Sequence, residues 1–515
     1  MSLPAPRARA IMVLGTTSHA GKSTVAAALC RSLHRKGFRV APFKAQNMSL
    51  NSWVTPEGAE IGRAQAQQAR AAGIEPHADM NPILLKPSGG GRMQVVALGK
   101  PMGHCTGREY YDRKQEMRAL VHAAYDRLAA RFDVIVLEGA GSPAEINLRE
   151  EDLVNASMGE YAGARCILVA DIDRGGVFAS IFGTISLMEA RHRKLLAGVA
   201  INKFRGDASL LEPGLREIES LTGIPVLGVL PYMEDLGLEE EDSLALAEAG
   251  IAANARGGNA VPGNASGQPI LLDIAVIRFP LLSNSTDFLP LEGQASVSLR
   301  YVSRSENIGN PDCIILPGSK NVRHDAGFLK RSGMDRVLIA AAARGIPLLG
   351  ICGGYQILGR SIRDPYGVEG DPGETAGLGL LPVVTVLERE KELRRVRAEN
   401  LAFPFLARGE ECHGYEIHMG RTRIHGEGRP LLRNREIAAE ERDSGCLDVT
   451  ALIFGVYLHG LFDGAPVRQG FYRWLCGRKG LDWRDGPGGG VPTVDPLDRL
   501  ADVVEACLDP LSLLD

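Results

Sequence analysis

An apolar run, Ile346 to Ile351, ends in Gly350-Ile351-Cys352-Gly353-Gly354 and passes directly into a helical stretch, Tyr355 to Arg360. A short continuous apolar run of this kind is a buried strand of a parallel sheet, so the segment demands a strand, a tight turn and a helix in succession. Small residues on both sides of Cys352 permit the strained backbone of a nucleophile elbow, which projects its reactive atom from the top of a sheet. A helix beginning just after the cysteine favours a thiolate and offers N–H groups to a developing oxyanion. An ordinary buried cysteine would leave the glycine pattern without a use. Cys352 is the candidate nucleophile, and Gly353 a candidate oxyanion donor.

At 515 residues, 45% of them hydrophobic, the chain is too long for one ordinary core and two or three domains are expected. The formal net charge of −4 and the lack of a long basic run give no footprint for nucleic acid. Nine cysteines, an odd number with no CxxC pair, fit reduced thiols better than a disulfide framework. Met1 to Arg9 lacks the apolar core of a signal peptide, and no segment reaches the roughly 18 apolar residues of a membrane span. A cytoplasmic protein without a membrane partner is expected.

Ala10 to Leu14 is another apolar strand, running into Gly15-Thr16-Thr17-Ser18-His19-Ala20-Gly21-Lys22-Ser23-Thr24 and the helix Val25 to Arg35. This is the layout of a phosphate-binding loop: backbone N–H groups hold phosphate oxygens, Lys22 reaches the terminal phosphates, and the Ser23 hydroxyl ligates Mg²⁺. Thr16, Gly21, Lys22, Ser23 and Thr24 are the candidate nucleotide-binding residues. The GxxxxGK[ST] spacing asks for glycine where Thr16 stands, with Gly15 one residue early.

Further strands end in polar residues: Arg39 to Lys44 before Gln46-Asn47, Phe132 to Leu137 before Glu138, Cys166 to Ala170 before Asp171, and Gly198 to Ile201 before Asn202-Lys203. Repeated units of this form, closed by Pro225 to Leu230, predict a doubly wound parallel sheet, which binds ligands beyond the C-terminal ends of its strands. That rule makes Glu138 and Asp171 candidate partners of Ser23 around Mg²⁺. Lys44, Gln46, Asn47 and Arg174 are candidate substrate contacts, and Asn202 and Lys203 stand at the base-binding end of the nucleotide. For the polar loop residues, surface turns and caps explain the composition about as well.

The acidic stretch 234–248 and the Gly/Pro/Asn-rich stretch 255–269 have linker character. The expected division is a phosphate-loop domain over 1–233, a connector over 234–269 and a second α/β domain over 270–515, with its core at about 270–468. In that second half Asp312 to Leu316 is a strand ending at Pro317-Gly318, and Gly318 is the second candidate oxyanion donor. A cysteine nucleophile needs a base, and His459, at a strand-ending His-Gly turn, is the candidate. Glu416 and Asp463 are guesses for an acid behind it. A zinc site on Cys412, His413 and His418 fits no common ligand spacing.

A phosphate loop joined to a Gly-Ile-Cys-Gly-Gly elbow and a late His-Gly strand end resembles the CobB/CobQ family of glutamine amidotransferases. Matching blocks cover nearly the whole chain: 44–49, 80–82, 138–148, 171–178, 202–207 and 415–420. The N-terminal half is similar to dethiobiotin synthetase, whose loop has the same glycine offset. The resemblance implies a dethiobiotin synthetase-like P-loop domain followed by a class I glutamine amidotransferase-like α/β domain. It implies a glutamine-hydrolysing, ATP- and Mg²⁺-dependent amidoligase of cobalamin biosynthesis. Glutamine would be cleaved through a thioester at Cys352, and the ammonia used at an acyl phosphate in the N-terminal domain. The implied substrate is adenosylcobyrinic acid a,c-diamide, amidated at its b, d, e and g carboxylates. Homo-oligomerisation is compatible with this reading. The nearest alternative, a cobyrinic acid a,c-diamide synthase, fits the 46–48 and 202–207 blocks less well. A partitioning-type P-loop switch ATPase would need a lysine early in the loop, where Thr16, Thr17 and Ser18 stand.

Overall fold

The computed structural model describes residues 8–147, 152–233, 270–292, 294–437, 442–483 and 495–514. The expected connector, 234–269, the glycine-rich stretch 486–490 and Leu148 of the 138–148 block lie outside the described residues.

Two parallel sheets form the two halves. In the first, Arg9–Gly15 (β1) lies between Arg165–Asp171 (β4) and Val134–Glu138 (β3), flanked by Leu196–Phe204 (β5), Val226–Pro231 (β6) and Val40–Phe43 (β2). The strand order is β6-β5-β4-β1-β3-β2 and every pairing is parallel. Residues of β1 and β3 are buried on both faces, which is why they read as unbroken apolar runs and not as alternation. Helix α1, Lys22–Arg35, follows β1, and α2, Arg63–Ala71, packs on α1. A mixed sheet of Gln46–Met48, Ile83–Gly89, Arg92–Ala97 and Lys100–Thr106, its first pair parallel and the other two antiparallel, extends this half. The glycines at 89–91 form the tight turn between two of these strands, all three with positive φ.

The second sheet runs Val297–Val302 (β8), Leu272–Ile277 (β7), Cys313–Leu316 (β9), Leu348–Ile351 (β10), Ile453–Val456 (β14) and Cys446–Leu447 (β13). All are parallel except the edge pair β13–β14. Beside it stands a long hairpin, Val383–Asn400 (β11) with Glu411–Ile424 (β12), antiparallel, with a register shift between Leu387 and Glu392. Helices α3, Val322–Arg331, and α4, Gly353–Leu358, lead out of β9 and β10.

The terminal helix α5, Pro496–Cys507, departs from the expected 270–515 division. It packs on α1 of the first half, with Leu497, Leu500 and Val504 in the core formed by Val25, Leu29 and Leu33. Arg31 and Arg35 bind Asp498 and Asp502 along the seam. The chain's end therefore ties back to the phosphate-loop domain.

Candidate active sites

Cys352 sits where β10 turns into α4, with φ 51° and ψ −105°, a backbone conformation that L-residues rarely adopt. The turn is this tight because its neighbours approach closely. A side chain on Gly354 would begin 1.9 Å from the Leu316 carbonyl oxygen, and one on Gly353 would begin 2.7 Å from the Ser319 nitrogen. The loop after β9 therefore presses on the elbow. Gly318 in that loop adjoins the His459 ring, while it is the Ser319 N–H that faces Gly353.

His459 follows β14 and lines the same cavity as Cys352, close enough for the sulfur to act on its charge, while the thiol itself donates to the Ile417 carbonyl at 3.5 Å. Its Nδ1 lies 2.7 Å from Asp287 Oδ2, and the Gly460 N–H donates to Asp287 Oδ1 at 2.9 Å. Both side chains are almost fully buried. Burial alone would discharge the imidazole, but the Asp287 carboxylate and then the Cys352 sulfur raise its pKa to about 10. The Tyr415 ring stacks on His459 at 5.5 Å, and backbone bonds between the same two residues fix the histidine's strand. Asp287 had no signal of its own in the sequence: it lies in a polar turn after β7, far from both partners along the chain. Neither guessed acid is in its place. Glu416 is held by Arg394 at 2.6 Å, and Asp463 lies 3.7 Å from Arg63.

At the other site the Ser23 hydroxyl donates to Glu138 Oε1 at 2.7 Å, and the buried Lys44 ammonium donates to the same oxygen at 2.9 Å. Gln68 Nε2 binds Glu138 Oε2 at 2.5 Å, and Gln65 lies 3.5 Å from that oxygen. Burial would raise the Glu138 pKa, but Lys44 and the hydrogen bonds from Lys44, Ser23 and Gln68 hold it below the usual carboxylate range. Lys22 Nζ donates to the carbonyls of Thr17 and Gly141, beside the loop that begins at the buried Thr16 and continues past half-buried Thr24. Gly21 has φ 95°, and a side chain there would begin 2.0 Å from Asn202 Nδ2. Asn202 Nδ2 donates to the Ala20 carbonyl, and Lys203 Nζ to the His19 carbonyl.

Asp171 does not join Ser23 and Glu138. Its carboxylate is taken by Lys203 Nζ at 3.0 Å and by the Asp173 N–H at 2.8 Å. Gln46 accepts a hydrogen bond from Tyr110, Asn47 donates to Gln65, and Arg174 is exposed. Among the described residues no cluster of three or more His, Cys, Asp or Glu side chains could hold a metal. The zinc reading fails on geometry too, since Cys412 is buried and His413 exposed on one strand. A hydroxyl and a carboxylate do suit Mg²⁺, which takes a few protein oxygens and completes its shell with phosphates and water. The buried Gln68 Oε1 beside Glu138 and the buried Asn202 Oδ1 have no hydrogen-bond partner, which leaves polar capacity at both ends of the loop.

The two sites meet across a polar domain interface. Glu60, fully buried, binds Lys86 at 2.7 Å from its own half and Lys391 at 2.5 Å from the hairpin of the other. Burial would raise the Glu60 pKa, but Lys391 and Lys86 hold it far below the usual range. Arg63 Nη1 donates to the Tyr415 hydroxyl at 2.8 Å, and Asn284 Oδ1 accepts the Ser52 N–H at 3.0 Å. The cavity beside Cys352 and His459 is lined by residues of the second half and, from the first, by Lys86.

Two family models match the chain: the CobQ/CobB/MinD/ParA nucleotide binding domain over residues 11–245 and the CobB/CobQ-like glutamine amidotransferase domain over 273–467. The chain is 49% identical over 503 residues to the cobyric acid synthase of Desulforudis audaxviator strain MP104C, covering 96% of this chain and 97% of that one. It is 46% identical over 516 residues to the cobyric acid synthase of Pelotomaculum thermopropionicum, covering 98% and 95%. A probable cobyric acid synthase of Methanocella arvoryzae is 46% identical over 508 residues, covering 98% and 97%.

Proposed function

The chain belongs to the cobyric acid synthase family and is a glutamine-dependent, ATP-using amidoligase, and we propose that it amidates the b, d, e and g carboxylates of adenosylcobyrinic acid a,c-diamide. The observation that carries this reading is the Cys352–His459–Asp287 array, set beside a cavity that Lys86 of the ATP-binding half helps to close.

In the glutaminase half, the Cys352 sulfur attacks the side-chain amide carbon of glutamine after passing its proton to His459. The Gly353 N–H, with Ser319 or Gly318 in the facing loop, stabilises the oxyanion. His459, oriented and charge-balanced by Asp287, returns the proton to the departing nitrogen, so ammonia leaves and a thioester remains. Water, deprotonated by the same histidine, then releases glutamate.

In the other half, Gly21, Lys22 and the N-terminus of α1 cradle the phosphates of ATP, with Thr16 and Thr24 on either side and Asn202 and Lys203 toward the base. Ser23 and Glu138 would hold Mg²⁺, which when bound neutralises phosphate charge. A corrin carboxylate takes the terminal phosphoryl group, and ammonia displaces phosphate to give the amide. Lys44, Gln46 and Asn47 would shape the substrate side of this site, and the exposed Arg174 would suit a carboxylate-rich substrate. We place this chemistry in the cytoplasm. No described helix is long and apolar enough to cross a membrane.

The test compares wild type with Cys352→Ala on ATP, Mg²⁺ and the corrin diamide, with glutamine or ammonium as nitrogen donor, by corrin mass. Stepwise conversion of carboxylate to amide is expected from wild type with either donor, and from the variant with ammonium alone. Glutamine-supported amidation by the variant would remove Cys352 as nucleophile. An unchanged corrin with every donor would send the search to another acid substrate.

A further inference from the structure

The cavity beside Cys352 contains three lysines, and they are not equivalent. Lys86 and Lys391 are both committed to Glu60, at 2.7 and 2.5 Å. The third, Lys320, has no hydrogen-bond or ion-pair partner for its ammonium among the described residues, although its backbone N–H is fixed to the Leu281 carbonyl at 2.8 Å. One carboxylate lines the same cavity, that of Glu369. Its Oε2 accepts the Arg323 N–H at 3.0 Å in the first turn of α3, and the Asn321 amide holds its main-chain carbonyl at 3.2 Å. The Glu369 carboxylate is thus anchored by one edge. Lys320 and Glu369 are half-buried, face one cavity within electrostatic reach of each other and are not joined by a hydrogen bond, so both keep polar capacity for a ligand that enters it.

The glutaminase reaction supplies one of matching chemistry. With the amide carbon of glutamine at the Cys352 sulfur, its α-carbon lies three carbon–carbon bonds away, carrying one carboxylate and one ammonium. We propose that Lys320 and Glu369 form the receptor for this α-amino-acid head, Lys320 taking the carboxylate and Glu369 the ammonium. This assignment rests on the glutaminase reading above. Burial and the neighbouring Lys391 and Lys86 lower Lys320 to about 7, and burial raises Glu369 to about 7. A zwitterionic ligand would return full charge to both. Gln356 remains for the other end of the substrate, since its buried Oε1 has no partner while its Nε2 binds the Tyr457 hydroxyl at 3.1 Å. Lys320 and Glu369 would then determine which amides reach the thiol and leave the chemistry at the thiol to Cys352 and His459.

The experiment supplies the full-length protein, ATP and the corrin diamide with one of three amides: L-glutamine, its des-amino analogue glutaramate, or L-glutamine with its α-carboxylate converted to an amide. The acid formed from each is quantified by mass spectrometry. Wild type is expected to prefer L-glutamine to both analogues by about 100-fold or more, as a site built around polar groups rejects a ligand lacking their partner. Glu369→Gln should reduce the preference over glutaramate to about tenfold or less and keep the preference over the α-amide, and Lys320→Met should do the reverse. Preferences that survive in both variants, or a parallel loss for all three amides, would overturn the assignment. A check needing no variant is protection of Cys352 from iodoacetamide in wild type, where glutaramate protecting as well as L-glutamine would also overturn it. Failure of wild type to release acid from any amide would overturn the glutaminase reading itself.

Discussion

Asp287 Oδ2 lies 2.7 Å from His459 Nδ1, and its second oxygen accepts the N–H of the next residue, Gly460, at 2.9 Å. One carboxylate therefore fixes both the ring and the backbone that carries it, presenting the other ring nitrogen to Cys352. Asp287→Asn keeps the shape and removes the charge. Glutamine-supported amidation should fall by about 100- to 10,000-fold, the range for a positioned acid–base group. Glutamate release and corrin mass, measured together, check it; unimpaired glutamate release would show that Asp287 does not act through His459.

The same pair has a pH signature in stability. The His459 pKa is raised to about 10 in the fold, against about 6.5 for free histidine. A raised pKa contributes stability that is fully present below the unfolded value and lost as pH rises through the folded one. Urea denaturation of wild type and Asp287→Asn should show the largest gap near pH 6 and a gap that narrows between about pH 6.5 and 10. A gap that widens over that interval would contradict the pairing.

Glu60 joins two lysines that belong to different halves of the molecule, Lys86 and Lys391. Glu60→Ala would leave both ammonium groups buried without their anion, a loss of about 3–5 kcal/mol for a broken buried ion pair. Its depressed pKa gives the opposite pH sense to His459: the stabilisation is present above the unfolded carboxylate value and is lost as pH falls toward the folded one. Thermal unfolding at pH 7 and at pH 4 should therefore separate wild type from Glu60→Ala more at the higher pH.

Glu138 collects Ser23, Lys44, Gln65 and Gln68 on its two oxygens. Glu138→Gln should abolish amidation with ammonium as well as with glutamine, because it acts after nitrogen release. Glutamate formation, tied to Cys352, should persist. Corrin amidation at the wild-type rate in this variant would place the metal and phosphate chemistry elsewhere.

The central parallel strands were legible because they are apolar runs, buried on both faces, that stop at polar or glycine residues, as in Val134–Glu138 and Arg165–Asp171, whereas the half-exposed edge strand Val297–Val302 carried no such run. Cys352 and His459 were legible for the same reason, as reactive residues at strand ends. The 383–400 strand was not. Its middle reads Glu388-Arg389-Glu390-Lys391-Glu392, which has no alternation, and it is there that the ladder with 411–424 slips register. Such a strand is held by contacts across the molecule, Lys391 on Glu60 above all, and no local pattern encodes them. Asp287 was invisible on the same ground: it meets His459 only after β7 and β14 are placed in one sheet.

Helix α2 touches both sites. At its first residue Arg63 donates to the Tyr415 hydroxyl, and the Tyr415 ring stacks on His459. Farther along, Gln65 and Gln68 reach Glu138. The helix thus reaches Tyr415 beside His459 at one end and Glu138 farther along, which makes it a physical link whose coupling can be tested. Arg63→Met keeps much of the aliphatic stem and removes the hydrogen bond to Tyr415. If α2 carries the coupling, wild type should form one glutamate per corrin amide, whereas the variant should form glutamate in excess and release ammonia to solution. The two products, quantified in the same reaction, decide it. A ratio that stays at one in Arg63→Met, with both rates lowered equally, would reduce Arg63 to a structural contact between the domains.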